Sequence, residues 1–201
     1  MTTTLRIQTE TTPVIVSLPT NGDMTRDEFS ALCLANRDLR IERTATGEVI
    51  IMPPAFSDTG NRNFNLAAHL WVWSEQDGTG LGFDSSAGFT LPNGAIRAPD
   101  AAWIRAERWH GLTEDEKASF APICPDFVIE LRSTSDTLKS VQAKMQEYLE
   151  NGAQLGWLID RKSRKVHIYR LKQAPQVLEN PEQVSGDPEL TGFSLPMAKI
   201  W

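Results

Sequence analysis

The stretch CPDFVIELRSTSDTLKSVQAKMQEYLENGAQLGWLID, residues 124–160, decides the fold. Its apolar runs around Val128 and Trp157 are typical of buried strands. Between them, apolar residues recur at helical spacing, the Ser133–Asp136 region offers good N-cap residues, and Gly152 marks a helix end. A strand–helix–strand unit of this length predicts two parallel strands of one sheet.

Two carboxylates interrupt apolar strands. Glu130 lies inside the first apolar run of that unit, and Asp100 lies in the sequence RAPDAAWI. A buried carboxylate is costly unless it is paired or binds a cation. If their strands are neighbours, the two acids suit a hard cation such as Mg²⁺ or Mn²⁺, and a nearby lysine would complete a site for phosphodiester hydrolysis. Structural ion pairs are the alternative explanation.

The rest of the chain predicts a mixture of helices and strands. Periodicity and turn residues predict helices at 25–36 and 59–75, a short helix after Thr113, a hairpin at 39–51, and strands at 81–84, 88–91, 96–104, 155–159 and 166–171. In the helix at 59–75 we expect a buried apolar stripe and a surface His69. That stripe consists of Phe64, Ala67, Ala68, Trp71 and Val72.

The length of 201 residues and the absence of a linker predict one domain, 1–201. We divide it into an N-terminal arm and helix (1–37), a core (38–171) and a C-terminal tail (172–201). In the tail we expect a surface loop at 172–190, followed by a short strand or tail that packs through Phe193, Leu195 and Trp201.

Composition and net charge indicate which broad classes of protein the chain can belong to. With 40% hydrophobic and 23% charged residues, the chain is typical of a soluble globular protein. We find no membrane span or signal pattern, and so we expect a cytoplasmic protein without a membrane partner. The net charge of −6 argues against a protein that coats nucleic acid, although not against an enzyme that acts on it. Cys33 and Cys124 lack metal-ligand spacing, and we interpret them as buried thiols.

The order of motifs resembles the restriction-endonuclease-like family within the PD-(D/E)xK nuclease superfamily. The resemblance covers roughly residues 38–171 and rests on GFTLPNGAIRAPDAAWI, PDFVIELRSTSD, KMQEYLENG and GWLID. It implies an α/β fold of the restriction-endonuclease type, with a central mixed sheet flanked by helices and the acids on neighbouring strands. It also implies a phosphodiesterase site that uses Mg²⁺ or Mn²⁺.

The same resemblance implies roles for individual residues. Asp100 matches the aspartate of the PD half-motif, Glu130 matches the acid of the (D/E)xK half-motif, and the carbonyl of Leu131 would be a further metal ligand. The chain departs from the motif at Arg132, where the family has lysine. Arginine stays protonated and cannot act as a base.

Two further residues are candidates for the site. Lys144 lies beside the apolar stripe of the predicted helix, so its stem can lie on the core while its amine reaches over the strand end. It can therefore substitute for the motif lysine, the alternative being an ordinary surface lysine. Glu42 is a candidate accessory acid, the alternative being an exposed strand residue.

These observations favour a metal-dependent endonuclease that acts on DNA and forms a homodimer. Two rivals stay open. In the first, the nuclease fold is kept without catalysis and binds nucleic acid or a protein, which Arg132 and the acidic charge favour. In the second, the protein is structural and its buried acids are ion pairs.

Overall fold

The computed structural model describes residues 14–16, 24–37, 39–52 and 54–201. The predicted N-terminal arm lies outside these residues, except for one short strand. The strands are β1 (Val14–Val16), β2 (Arg40–Arg43), β3 (Val49–Met52), β4 (Gly80–Asp84), β5 (Phe89–Thr90), β6 (Ile96–Arg97), β7 (Ala101–Arg105), β8 (Phe127–Leu131), β9 (Leu155–Asp160), β10 (Lys165–Arg170), β11 (Gln176–Glu179), β12 (Gln183–Ser185) and β13 (Ser194–Pro196).

The helices are α1 (Arg26–Ala35), α2 (Ser57–Asp77), α3 (Ala106–His110), α4 (Glu114–Lys117) and α5 (Leu138–Glu150), and a 3₁₀ turn spans Met197–Lys199. The capping boxes predicted from Thr25 and Thr113 are both present. Each threonine hydroxyl accepts the N–H of a glutamate three residues on, whose carboxylate accepts the threonine N–H in return. These local signals therefore place the start of α1 and α4.

A mixed sheet forms the centre of the fold. Within the described residues its order is β11-β10-β9-β8-β7-β4. β8 and β9 pair in parallel, as the strand–helix–strand pattern predicts, whereas β7 pairs antiparallel with β8. The strands that follow Asp100 and contain Glu130 are therefore direct neighbours.

Alternation along β8 assigns the two faces of this sheet to two helices. Phe127 and Ile129 pack in one cluster with Leu66 and Leu70 of α2. Val128 packs in a second cluster with Met145 of α5. The central mixed sheet is thus flanked by helices, as expected. Because side chains alternate along a strand, Glu130 shares the α5 face with Val128.

A second, smaller sheet has the order β1-β3-β2-β6-β5 in the described part of the chain. The predicted hairpin is its β2–β3 pair. The prediction of one strand over 96–104 is wrong, because β6 belongs to this sheet and β7 to the central one. Pro99 lies between them, and a residue without an N–H cannot continue a ladder. The break leaves Asp100 where the two sheets meet.

The helix at 59–75 exists as α2, but its predicted buried stripe is wrong. Phe64 is 72% exposed, Trp71 58% and Val72 47%. The helix buries a neighbouring stripe instead, which consists of Asn63, Leu66, Leu70 and Ser74. Packing against β4 and β7 buries this stripe and leaves Phe64, Trp71 and Val72 outside, and helical spacing alone could not distinguish the two stripes.

The C-terminal region corrects one expectation and supports another. Residues 172–190 were expected to form a loop, but they contain β11 and β12, whose partners are β10 and β13. Phe193 is buried and stacks on Trp157 with ring centroids 5.4 Å apart, as the expected packing of the tail requires. A strand that pairs through its backbone needs few apolar residues, which explains why 172–190 looked like a loop.

The expectations for the two cysteines and for His69 are met only in part. Cys124 is buried as predicted, whereas Cys33 is half-buried. His69 was expected at the surface and is half-buried, with Nδ1 2.8 Å from the Asn65 carbonyl oxygen. Among the residues described, none of the helices combines the length and the apolar character needed to cross a bilayer.

Candidate active site

Glu130 is held on the α5 face by two residues of that helix. Lys144 Nζ lies 2.8 Å from Glu130 Oε1, and the Tyr148 hydroxyl donates to the same oxygen at 3.0 Å. Lys144 and Tyr148 are one helical turn apart, so both reach the strand from one side. In the described part of the chain, the contacts of the Glu130 carboxylate are made through Oε1, and Oε2 accepts no hydrogen bond there.

Glu42 enters the same cluster from β2. It is 3% exposed, which excludes the alternative of an exposed strand residue. Its Oε1 accepts from Lys144 Nζ at 2.8 Å and from the Ala98 N–H at 3.0 Å, and its Oε2 lies 3.2 Å from Arg97 Nη1. The Lys144 ammonium therefore bridges Glu42 and Glu130.

Asp100 is fixed by groups from three other elements. Its Oδ2 accepts the Leu131 N–H at 2.8 Å, which ties it to the end of β8. Its Oδ1 accepts from Asn63 Nδ2 at 3.1 Å and lies 3.3 Å from Arg40 Nη1. Asp100 is 7% exposed. Among the described residues, the hydrogen-bond partners of the Asp100 carboxylate are therefore all far from it in the sequence.

The charged groups of the cluster shift one another's pKa values. Burial raises the pKa of Glu130 to about 7, against the Lys144 ammonium, and the carboxylates of Asp100 and Glu42 contribute to the rise. Burial also opposes ionisation of Glu42, but Lys144 and Arg97 outweigh it and lower its pKa. The two glutamates thus share one ammonium, yet their pKa values move in opposite directions.

Two of the three cations beside the acids, Lys144 and Arg40, also have shifted pKa values that keep them charged. Burial lowers the pKa of Lys144, but Glu130 and Glu42 outweigh it and raise the pKa above its usual value. Arg40 responds in the same way, through Asp100, Glu130 and Glu42. Arg40 therefore interacts electrostatically with all three carboxylates, so the three acids belong to one cluster.

Arg132 lies outside these contacts. Its Nη1 donates to Asp160 Oδ2 at 2.9 Å and its Nε donates to the Asp136 carbonyl oxygen at 3.2 Å. Of the two cations considered from the sequence, the structure brings Lys144 to the acids and engages Arg132 at the end of β9. Leu131 contacts the site through its N–H, which donates to Asp100 Oδ2.

Four residues of the cluster were missed by sequence reasoning: Arg40, Asn63, Arg97 and Tyr148. Arg97 could have been proposed because it stands three residues before Asp100 in the sequence. Its partner Glu147, however, is 50 positions away. Tyr148 fits the helical spacing of the apolar residues in α5, so its hydroxyl gave no indication of a role in the site. Arg40 and Asn63 left no local signal.

The donor set has the chemistry of a hard-cation site. Asp100, Glu130 and Glu42 supply carboxylate oxygens, and Asn63 adds a buried amide oxygen that has no hydrogen-bond partner among the described residues. Over those same residues, no set of three or more His, Cys, Asp or Glu side chains stands in metal-binding geometry. The acids fit a site that uses two carboxylates and completes its shell with amide, main-chain or water oxygens, as Mg²⁺ sites do.

The mixed central sheet flanked by helices is an α/β fold of the nuclease-like type. A solved structure with the same fold is the "Crystal structure of a putative nuclease belonging to DUF820 from Anabaena variabilis ATCC 29413". It superposes with a TM-score of 0.72 over 88% of this chain and 96% of the other, at 22% sequence identity.

The chain belongs to the family described as "Uma2: Putative restriction endonuclease", whose model matches residues 26–198. This confirms the restriction-endonuclease-like resemblance. The match also extends beyond the expected core of 38–171, into α1 and the C-terminal strands. Among curated proteins, none matches the sequence.

Proposed function

We propose that the protein is a metal-dependent endonuclease that hydrolyses phosphodiester bonds in DNA. The observation that carries this proposal is the position of Lys144 Nζ, 2.8 Å from Glu130 Oε1. The Glu130 carboxylate in turn interacts electrostatically with Asp100. A lysine beside Glu130 supplies the side-chain type that the motif has and that Arg132 replaces in the sequence. Family membership supports a nuclease-like activity.

Asp100 and Glu130 would hold a divalent cation, Mg²⁺ or Mn²⁺, and Glu42 would be an accessory acid. When bound, such a cation supplies Lewis acidity and lowers the pKa of water. In an extended strand the N–H and C=O of one residue point to the same side. The hydrogen bond from the Leu131 N–H to Asp100 therefore supports a Leu131 carbonyl that faces the cation side.

Lys144 would stabilise the negative charge that develops on the reacting phosphate. A preorganised ammonium in a buried site is effective because it needs no reorientation during the reaction. Glu42 and Glu130 hold the amine from two sides, which fixes its position. Arg132 would act further along the same sheet face, as a contact for the substrate backbone beside Asp160.

The charges of the cluster support a cation and a phosphate as joint occupants. When Glu130 is ionised, at a pH above its pKa of about 7, the carboxylates of the cluster outnumber its cations by one: Glu42, Asp100, Glu130 and Glu147 against Arg40, Arg97 and Lys144. A divalent cation reverses this imbalance, and one phosphodiester group neutralises it again. Because the net charge of this buried site is zero only when the cation and the phosphodiester are both bound, the site favours their joint binding.

Cleavage of supercoiled and linear DNA with Mg²⁺ or Mn²⁺ tests the proposal. We expect nicking that requires the cation and is lost in Asp100→Asn and Glu130→Gln. Asp84→Asn, at an exposed acid in β4, is the matched control and should cut like the wild type. A wild type inert on DNA with both cations would leave the alternative, a nuclease-fold protein that binds nucleic acid or a protein without cutting.

We also propose that the protein forms a homodimer through α2. Phe64, Trp71 and Val72 lie at i, i+7 and i+8 and are exposed, so they form one apolar face. We call this set the α2 apolar face. Clustered exposed apolar side chains of this kind mark interaction surfaces more often than isolated ones do.

A further inference from the structure

The side-chain oxygen of Asn63 is a buried acceptor without a donor. Asn63 lies on α2 and is 9% exposed. Its Nδ2 donates to Asp100 Oδ1 at 3.1 Å, and a carboxylate can only accept, so the amide orientation is determined. Oδ1 is consequently the other end of the amide. It has no hydrogen-bond partner in the part of the chain that the structure describes.

An acceptor in this condition calls for an explanation. Buried polar atoms are nearly always paired, and one left unpaired lowers stability. The other buried residues in this stripe of α2 include Leu66 and Leu70, which pack on the sheet without polar atoms. If position 63 served only to cover the sheet, an apolar residue would do so without an orphaned oxygen.

We propose that Asn63 Oδ1 serves the divalent-cation site at Asp100, as an acceptor for the hydration shell of the cation. This inference rests on the proposed function and deepens it. Mg²⁺ and Mn²⁺ are held by one or two carboxylates and keep several waters, whose hydrogens need acceptors. Outer-shell acceptors of this kind strengthen metal binding. The same amide thus orients Asp100 through Nδ2 and serves the cation through Oδ1.

Binding of Mn²⁺ to the full chain, measured by calorimetry, tests this inference. Asn63→Leu removes the oxygen at similar size, and we expect Mn²⁺ binding to weaken about 10-fold or more. Asn63→Asp keeps an oxygen there and should bind Mn²⁺ at least as tightly as the wild type. Asn65→Leu is the matched control on the same helix. Its amide bonds only to Asn61 among the described residues, and its binding should be unchanged.

The comparison of the two Asn63 variants separates this role from a purely structural one. If Asn63 acts only by holding Asp100, Asn63→Asp loses the Nδ2 donor and weakens binding as much as Asn63→Leu does, which would overturn the inference. Unchanged binding in Asn63→Leu would overturn it too, and leave the proposed function standing. A wild type that binds no Mn²⁺ would overturn both. Asn63→Ala provides the same comparison if leucine disturbs the packing.

Discussion

Lys144 Nζ donates a 2.8 Å hydrogen bond to Glu42 Oε1, although the two residues are 102 positions apart in the chain. The same ammonium lies 2.8 Å from Glu130 Oε1. One lysine of α5 therefore connects the small sheet to the central sheet at the acid cluster.

We expect Glu130→Gln to be more stable than the wild type at pH 8 in the presence of EDTA. Burial raises the pKa of Glu130 to about 7, so its favourable, protonated contribution is complete below the unfolded value near 4.5 and is lost as the pH rises through 7. Removing the charge should raise the free energy of unfolding by about 1–3 kcal/mol at pH 8. Urea denaturation at several pH values measures this.

The difference between Glu130→Gln and the wild type should shrink towards pH 4.5. Glu150→Gln, at an exposed position of α5, is the control and should show no such pH dependence. A Glu130→Gln variant that is less stable than the wild type at pH 8 would show that the ion pair with Lys144 outweighs burial.

We expect Lys144→Ala to lose DNA cleavage by a factor of about 10²–10³, as removal of a preorganised charge-stabilising group does. Mn²⁺ binding should survive, since in the proposed site Asp100 and Glu130 would hold the cation. Arg132→Lys should keep or raise activity. Cleavage rates and calorimetry measure these effects. Lys139→Ala, at an exposed lysine of the same helix, is the control. An active Lys144→Ala enzyme would refute its role.

We expect Glu42→Ala to lower the free energy of unfolding by about 3 kcal/mol at pH 7, because it leaves buried cations with fewer partners. Glu42→Gln should lower it less, since it keeps an acceptor for the Ala98 N–H. Lys144 and Arg97 lower the pKa of Glu42, so its stabilisation is present above the unfolded pKa and is lost as the pH falls through the folded one. Glu48→Ala, at an exposed site, is the control.

We expect Trp71→Glu to shift the protein from dimer to monomer in analytical ultracentrifugation, because a charge in the α2 apolar face is costly to bury. Gln146→Glu adds the same charge to an exposed position of α5 and should leave the dimer intact. A wild type that sediments as a monomer at all concentrations would exclude the homodimer.

The sequence by itself determined the strand–helix–strand unit, because apolar alternation in β8 and β9 and the helical spacing of α5 are local patterns. The two acids were found for the same reason. Glu130 and Asp100 stand out as charged residues in apolar runs. A buried charge of this kind must be paired with an opposite charge or bind a metal ion.

The tertiary structure decided which positively charged side chain lies beside the acids and which stripe of α2 is buried. Lys144, Glu42 and Asn63 reach the site from α5, β2 and α2, and no pattern within one element encodes distances between elements. α2 carries apolar residues on two adjoining stripes, so only packing against β4 and β7 could select Leu66 and Leu70 over the larger side chains of the α2 apolar face. Helical spacing defines a face, whereas burial depends on the partner that the face meets.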